Sequence, residues 1–128
     1  MSEEISGAEV LAEMKRTRGS VHPIHVYLAE HDPAYLKAYD TFASAALFGS
    51  HRETPALPVR YRELIACALL AFRGASAAGI VRHLARARAD GATNAEIMEA
   101  FESAALEGGG PVLAVGIEAL ILLDEQGG

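Results

Sequence analysis

The regular spacing of helix start and stop signals constrains this chain more than any other feature. Capping residues such as Ser, Asp and Thr stand ahead of apolar residues at helical spacing, in Ser6-x-x-Glu9, Asp32-Pro33 and Thr93-x-x-Glu96. Glycines, which favour the left-handed end of a helix, follow at Gly19, Gly49, Gly74 and Gly91. No segment has the strict polar and apolar alternation of a β-strand. The sequence therefore predicts an all-α protein.

These signals predict six to seven helices in a bundle. The first predicted helix begins after Ser6 and ends at Arg18. The others, in chain order, cover residues 22–30, 33–48, 59–72, 77–89, 94–106 and 112–123. A polar connector spans residues 50–57, and the run Gly108-Gly109-Gly110-Pro111 predicts a sharp break before the last helix. The chain shows neither a repeat nor a composition typical of a linker. With 128 residues, it is most simply one domain over residues 1–128.

Two helices carry apolar patterns that predict how they pack. In the third helix an apolar stripe is formed by Tyr35, Leu36, Tyr39, Phe42 and Leu47. The last helix has apolar side chains on every side, and a domain this small has limited interior to cover them. We therefore expect part of this surface to lie against another subunit in a homo-oligomer. A helix at the centre of a monomer is the alternative.

Composition excludes several classes of function. The formal net charge is −6, with 11 basic against 17 acidic residues, which argues against a nucleic-acid partner. Arg86 and Arg88 lie in the densest basic run, and we interpret them as solvated or paired with nearby acids. The N-terminus lacks the pattern of a signal peptide, and no apolar run reaches the roughly 20 residues that span a bilayer. These features favour a soluble, cytoplasmic protein without a membrane partner.

Thiol and metal chemistry are poorly supported. Cys67 is the single cysteine, and its apolar neighbours indicate an inert core residue. Reduction of peroxide through a disulfide needs a second thiol close by, so this function is disfavoured. His22 and His25 are three residues apart, but Pro23 lies between them at a helix start, and we interpret both as capping and surface residues. We expect neither a metal nor a cofactor.

His83 is the strongest candidate for chemistry. It lies in the middle of a predicted helix, and histidine is the side chain best suited to exchange protons near neutral pH. A hydrogen-bonded core histidine without a function is the alternative interpretation. Glu63 or Glu107 are candidates to orient its imidazole, as carboxylates do in catalytic triads. Glu63 also lies in the first turn of its helix, where an acid is favoured regardless of function.

Small and basic residues complete the candidate site. Ser76 and Gly79 share the helix face of His83, and their small size either leaves room for a ligand or allows close helix packing. Arg62 and Arg82, with Arg60 as a further option, are candidates to bind a substrate carboxylate through two hydrogen bonds. We expect a small organic acid as the partner of this site.

Four segments together resemble the carboxymuconolactone decarboxylase-like family, which includes the alkylhydroperoxidase D-type proteins. They are residues 18–33 (Arg-Gly…Pro…His…Leu-Ala-Glu-His-Asp-Pro), the Arg-Glu-Leu at 62–64, the segment from His83 to Ile97 with its Gly-Ala-Thr and Glu-Ile, and Gly109-Gly110-Pro111. The resemblance implies an all-α fold of the alkylhydroperoxidase D-like type, assembled as a homotrimer or homohexamer. It also implies active sites near the subunit contacts.

The resemblance covers two kinds of chemistry, and this chain departs from both. The peroxidase members have Cys-x-x-Cys ahead of the histidine, at the positions of Ser76 and Gly79 in this chain. The decarboxylase members commonly have a glutamate at the position of Gly79. Glu63 matches the acid of the peroxidase proton relay. The resemblance thus implies a cofactor-free lyase or isomerase acting on a lactone or keto acid, with His83 as general acid/base. A ligand-binding or accessory protein without catalysis is the alternative, and a thiol-dependent peroxide reductase is less favoured.

Overall fold

The computed structural model describes residues 4–127, and its helices closely follow the predicted boundaries. These residues form seven α-helices and no strand: α1 Gly7–Arg18, α2 Pro23–His31, α3 Pro33–Phe48, α4 Val59–Phe72, α5 Ala77–Ala89, α6 Asn94–Gly108 and α7 Gly110–Glu125. The prediction of an all-α protein is confirmed. Within the described part of the chain, no helix is long and apolar enough to cross a membrane.

Local capping explains why the boundaries were predictable. At the start of α6, the Glu96 amide donates to Thr93 Oγ1 at 3.1 Å, and Glu96 Oε1 accepts from the Thr93 amide at 2.9 Å. At the start of α1, the Glu9 amide donates to Ser6 Oγ at 3.3 Å. The break between α6 and α7 is shorter than predicted. Gly109 alone separates them, with φ 78° and ψ −173°, a conformation that favours glycine.

The chain divides into two compact units, which we call unit 1, up to Thr54, and unit 2, from Pro55. Unit 1 contains α1, α2 and α3, which pack against one another around a small core of Val10, Met14 and Leu36. Gly7 lies directly against the backbone of Ala29, where a Cβ atom would overlap the Ala29 carbonyl group. The close approach of α1 and α2 therefore depends on this glycine.

The third helix buries only part of its predicted apolar stripe. Of the predicted stripe, Leu36 is fully buried, whereas Tyr35, Tyr39 and Phe42 are 61%, 39% and 73% exposed. The buried residues of α3 are Leu36, Asp40 and Ala43. This orientation brings the Asp40 carboxylate to Arg18 of α1, with which it forms a buried ion pair. The aromatic members of the stripe therefore lie outside the core of unit 1.

Unit 2 holds the larger core and contains α4 to α7. Its largest fully buried side chains include Phe101, Ile80, Leu84, Ile97 and Leu123. The last helix, α7, packs against α4, α5 and α6, so its own unit covers most of its surface. One stripe of α7, formed by Ala114, Glu118 and Ile121, stays exposed. Self-association of the chain therefore stays a prediction.

Candidate functional site

Helix α5 holds His83 at the edge of the core of unit 2. Ile80, Leu84 and Ala87 form the buried face of this helix. His83 and Arg86 lie beside that face, three residues apart, so their side chains are neighbours on the helix surface. Core packing thus fixes the helix, and the fixed helix sets where both polar side chains project.

The structure brings Glu63 of α4 to His83 and Arg86 of α5, and we call these three residues the Glu63 cluster. Glu63 Oε2 lies 3.3 Å from His83 Nδ1. The same oxygen accepts a hydrogen bond from Arg86 Nε at 3.0 Å. A second nitrogen of the Arg86 guanidinium lies 3.1 Å from His83 Nδ1. The carboxylate, the imidazole and the guanidinium therefore contact one another pairwise.

Burial is uneven within the Glu63 cluster. The Glu63 side chain is fully buried, whereas the His83 and Arg86 side chains are 22% and 18% exposed. His83 is therefore reachable from solvent and is not enclosed by apolar packing. Glu63 Oε1 is buried and has no hydrogen-bond partner among the residues that the structure describes. An unpaired buried acceptor is costly in free energy.

Gly79 lies one turn and Ser76 two turns before His83, at the start of α5, and both are exposed. Ser76 is the N-cap, and its Oγ accepts from the Gly79 amide at 3.3 Å. A Cβ atom at Gly79 would meet only Ser76 Oγ at 3.7 Å and Ala75 Cβ at 3.8 Å, which are ordinary contacts. Close packing within the described chain therefore does not require glycine at position 79, and the space beside this residue is open.

The candidate arginines lie on both helices of the site and are half-buried. Arg62 Nε donates to the Leu57 carbonyl at 2.8 Å and so anchors the segment that precedes α4. Arg82 directly precedes His83 on α5. Arg60, the further option, lies over the Tyr61 ring, 4.5 Å from its centroid, and Tyr61 in turn donates to Glu96. Arg60 thus belongs to a contact network at the start of α6.

Glu107 lies away from the Glu63 cluster, near the end of α6. It borders an apolar groove of about 280 Å³ that is also lined by Ala68, Leu69, Phe72 and Ala104. The sequence left two candidates to orient His83. The geometry brings Glu63 to the imidazole, and Glu107 has a different environment. Helix packing decides this choice, because α4 and α5 pack against each other in unit 2.

Cys67 lies one turn after Glu63 and is fully buried. Burial, reinforced by the negative charge of Glu63, raises the pKa of the Cys67 thiol to about 12. Because the thiolate is the reactive form, this thiol is inert near neutral pH. Over residues 4–127, no group of three or more His, Cys, Asp or Glu side chains is placed to hold a metal ion.

Arg86 is the residue of the cluster that sequence reasoning missed as a site candidate. Its predicted pairing with a nearby acid is confirmed by Glu63, and that of Arg88 by Asp124 at 2.9 Å. The sequence contained a signal for Arg86, namely its position three residues after His83 on one helix face. That spacing alone does not reveal that the guanidinium also reaches a carboxylate on another helix.

Comparisons with known proteins agree with this architecture. The structure is similar to the 1.65 Å crystal structure of a protein from Burkholderia xenovorans LB400 proposed to be a carboxymuconolactone decarboxylase. The TM-score is 0.78 at 26% sequence identity, over 93% of this chain and 92% of the other. No curated protein sequence matches the chain. The model of the carboxymuconolactone decarboxylase family matches residues 33–121, a range that includes all of the Glu63 cluster. The chain therefore belongs to the carboxymuconolactone decarboxylase family.

Proposed function

We propose that this protein is a cofactor-free lyase or isomerase that acts on a small lactone or keto acid, with His83 as general acid/base. The Glu63 cluster carries the proposal, because it combines a partly exposed imidazole with a fully buried carboxylate. Membership of the family supports decarboxylation as the reaction. The buried Cys67 thiol argues against the peroxide chemistry of the thiol-dependent members.

Decarboxylation next to a conjugated carbonyl places defined demands on the protein. The bond between carbon and the carboxylate breaks, CO₂ leaves, and the electron pair moves onto the carbonyl oxygen as an enolate. The enolate then takes a proton at carbon. Hydrogen-bond donors at the enolate oxygen lower the barrier, and a proton carrier completes the reaction. His83 is the proposed group for both tasks, and its contacts in the Glu63 cluster hold its imidazole in position.

The substrate is proposed to lie over the exposed face of α5. Gly79 and Ser76 leave open space one turn and two turns, respectively, before His83. A substrate carboxylate in this space would meet positive charge from Arg82, and Arg62 is the second candidate. Glu107 is a weaker candidate for catalysis than Glu63, because it lies on the groove between α4 and α6.

The protein is further proposed to act as a homotrimer or homohexamer in the cytoplasm. Ile65, Leu69 and Phe72 lie along one face of α4 and are 50%, 62% and 57% exposed. An exposed apolar stripe of this kind supports contact with a second copy of the chain. Size measurement by light scattering over a dilution series tests the assembly, and a purely monomeric protein would contradict it.

Release of CO₂ from a panel of carboxymuconolactone-type lactone acids and small keto acids tests the activity. The His83→Gln variant should lower turnover by about 100-fold or more, because general acid/base catalysis contributes that much. His31→Ala is the matched control, since His31 is an exposed histidine on α2. Turnover that survives in His83→Gln with intact folding would contradict the proposed role.

A non-catalytic ligand-binding protein is the second candidate. The observation that favours it is the presence of Gly79 and Ser76 where the related enzymes have reactive residues. Thermal shift with the same panel separates the two candidates, because a ligand of the folded state raises the melting temperature whether or not it reacts. Binding without CO₂ release in every case would favour the second candidate.

A further inference from the structure

The Arg86 guanidinium reaches two hydrogen-bond acceptors along one edge. Its Nε donates to Glu63 Oε2 at 3.0 Å, and its terminal nitrogen Nη2 lies 3.1 Å from His83 Nδ1. A guanidinium carries only donors, and its planar fork offers two parallel N–H groups. The contact with Nδ1 is therefore attractive only when Nδ1 carries no proton and accepts from Arg86.

Glu63 competes for the same nitrogen of the imidazole. Its Oε2 lies 3.3 Å from His83 Nδ1, and an ionised carboxylate can only accept. That contact requires a proton on Nδ1. The same proton would also face the Arg86 guanidinium, which can only donate. The Arg86 contact is the shorter of the two, and Glu63 Oε2 already accepts from Arg86 Nε. The geometry favours Arg86 as the partner of Nδ1.

We infer that Arg86 is a positioning residue that holds neutral His83 with its proton on Nε2. Among the residues that the structure describes, Nε2 has no hydrogen-bond partner, and the side chain is 22% exposed. His83 thus meets a ligand with an N–H group rather than with a lone pair. Glu63 acts through Arg86 and fixes the guanidinium, which lies between the two helices.

This inference refines the proposed function and rests on it only for the catalytic consequence. A neutral imidazole with Nε2–H donates a hydrogen bond to a carbonyl oxygen and stabilises the enolate that forms there. The first task of His83 is then to donate to the developing negative charge rather than to remove a proton. An acidic substrate also fits this arrangement, since it presents oxygen acceptors to the donor.

Nitrogen-15 NMR of the histidine side chains tests the inference without any substrate. The coupling pattern of the ring nitrogens and carbon-bound protons distinguishes the two neutral tautomers, and the His83→Gln variant assigns the signal. The spectrum is recorded at alkaline pH, where an ordinary imidazole is neutral. We expect His83 to be predominantly the Nε2–H tautomer. A predominantly Nδ1–H ring in the unaltered protein would overturn the inference.

The Arg86→Met variant tests whether Arg86 is the cause. It removes the guanidinium and retains an unbranched apolar stem, so Nδ1 is left with Glu63 as its neighbour. We expect the tautomer ratio to move toward Nδ1–H by about tenfold or more, the size expected for loss of a hydrogen bond to a charged group. Arg88→Met is the matched control, because Arg88 is on the same helix and pairs with Asp124 instead. An unchanged ratio in Arg86→Met would overturn the inference.

Arg86→Lys keeps the positive charge and provides the second variant if Arg86→Met does not fold. An ammonium group lacks the fork that spans both acceptors, so we expect a larger share of the Nδ1–H tautomer than in the unaltered protein. A ratio equal to that of the unaltered protein would show that charge alone is sufficient and would overturn the role of the fork. The proposed function and the inference about Arg86 can fail separately. A lack of turnover would contradict the proposed function without changing the tautomer result. Turnover with an Nδ1–H ring would refute only the inference.

Discussion

Unit 1 buries the ion pair between Arg18 and Asp40, and unit 2 buries Glu63 beneath His83 and Arg86. Both partners in unit 1 are almost fully enclosed, at 5% and 7% exposure. In unit 2 only the acid is enclosed, and its two partners reach solvent. The buried carboxylate and its arginine are therefore enclosed together in unit 1, whereas in unit 2 they are part of a site that solvent can reach.

The two arginines differ in what they can contact once the carboxylate of Asp40 or Glu63 has lost its charge. Arg18 cannot reach water from its buried position, and its Nε already lacks a hydrogen-bond partner among the described residues. Arg86 is partly exposed, so it can gain water when Glu63 loses its charge. Removing one partner of a buried pair is costly mainly because the other charge stays buried. This comparison orders the expected effects of the variants.

The Asp40→Asn variant should have the largest effect on stability. It leaves Arg18 buried without a counter-charge, so we expect a loss of about 3 kcal/mol or more in the free energy of unfolding. Hydrogen exchange of the amides in α1 and α3 measures this loss within unit 1. The double variant Arg18→Met with Asp40→Leu should recover most of it. A small loss in the single variant would show that Asp40 is not held as a buried charge.

The Gly116→Ala variant should have the next largest effect and tests packing in unit 2. A Cβ atom at Gly116 would overlap the Phe101 ring, which is fully buried. Overpacking of this kind costs about 1–3 kcal/mol. Urea unfolding followed by circular dichroism measures the loss. Adding Phe101→Leu should restore part of it, and a double-mutant cycle gives the coupling between the two positions. Two additive losses would contradict direct contact.

The Glu63→Gln variant should cost about 1 kcal/mol or less, because the Arg86 side chain can turn toward water. This is the direct counterpart of Asp40→Asn, since each variant replaces one buried carboxylate by its amide. Equal losses in the two variants would remove the distinction between the units. Turnover should fall in Glu63→Gln although the protein stays folded, because the variant removes the charge that fixes Arg86 and His83.

Gly79→Ala should raise stability slightly and lower ligand binding. Alanine replaces glycine within a helix without a clash, which favours folding by roughly 0.5–1 kcal/mol. The added methyl group occupies space one turn from His83, so thermal shifts caused by small acids should become smaller. Gly116→Ala is the control, since it adds the same methyl group in the core against Phe101 rather than beside His83. Unchanged ligand shifts would place the binding site elsewhere.

The sequence predicts features that depend on neighbouring residues better than features that depend on residues far apart in the chain. Helix boundaries depend on caps and glycines a few residues away, and those boundaries are confirmed. The burial of Asp40 on α3 depends on Arg18, which lies 22 residues away, and the apolar stripe did not reveal it. His83 could be named as a candidate from its local context alone. The choice of Glu63 over Glu107, and the part played by Arg86, required the packing of α4 against α5.

Cys67 should give the smallest effect at neutral pH. Its pKa is raised to about 12 by burial and by Glu63, so the native protein should react with thiol reagents only through unfolding. The Cys67→Ala variant should therefore keep its turnover. Labelling measured against denaturant concentration tests this, and rapid labelling of the native state would contradict it.

The raised pKa of Cys67 also has a consequence at high pH. An unfolded thiol ionises near pH 8.5, whereas the folded thiol stays protonated to about pH 12. The unfolded state binds fewer protons in this window, so stability should fall as the pH rises through it. Unfolding curves across the alkaline range should show a shallower fall in Cys67→Ala. Equal slopes would mean that the thiol is not buried as a neutral group beside Glu63. The surroundings of the Glu63 carboxylate would then be more open than those of the Arg18–Asp40 pair in unit 1.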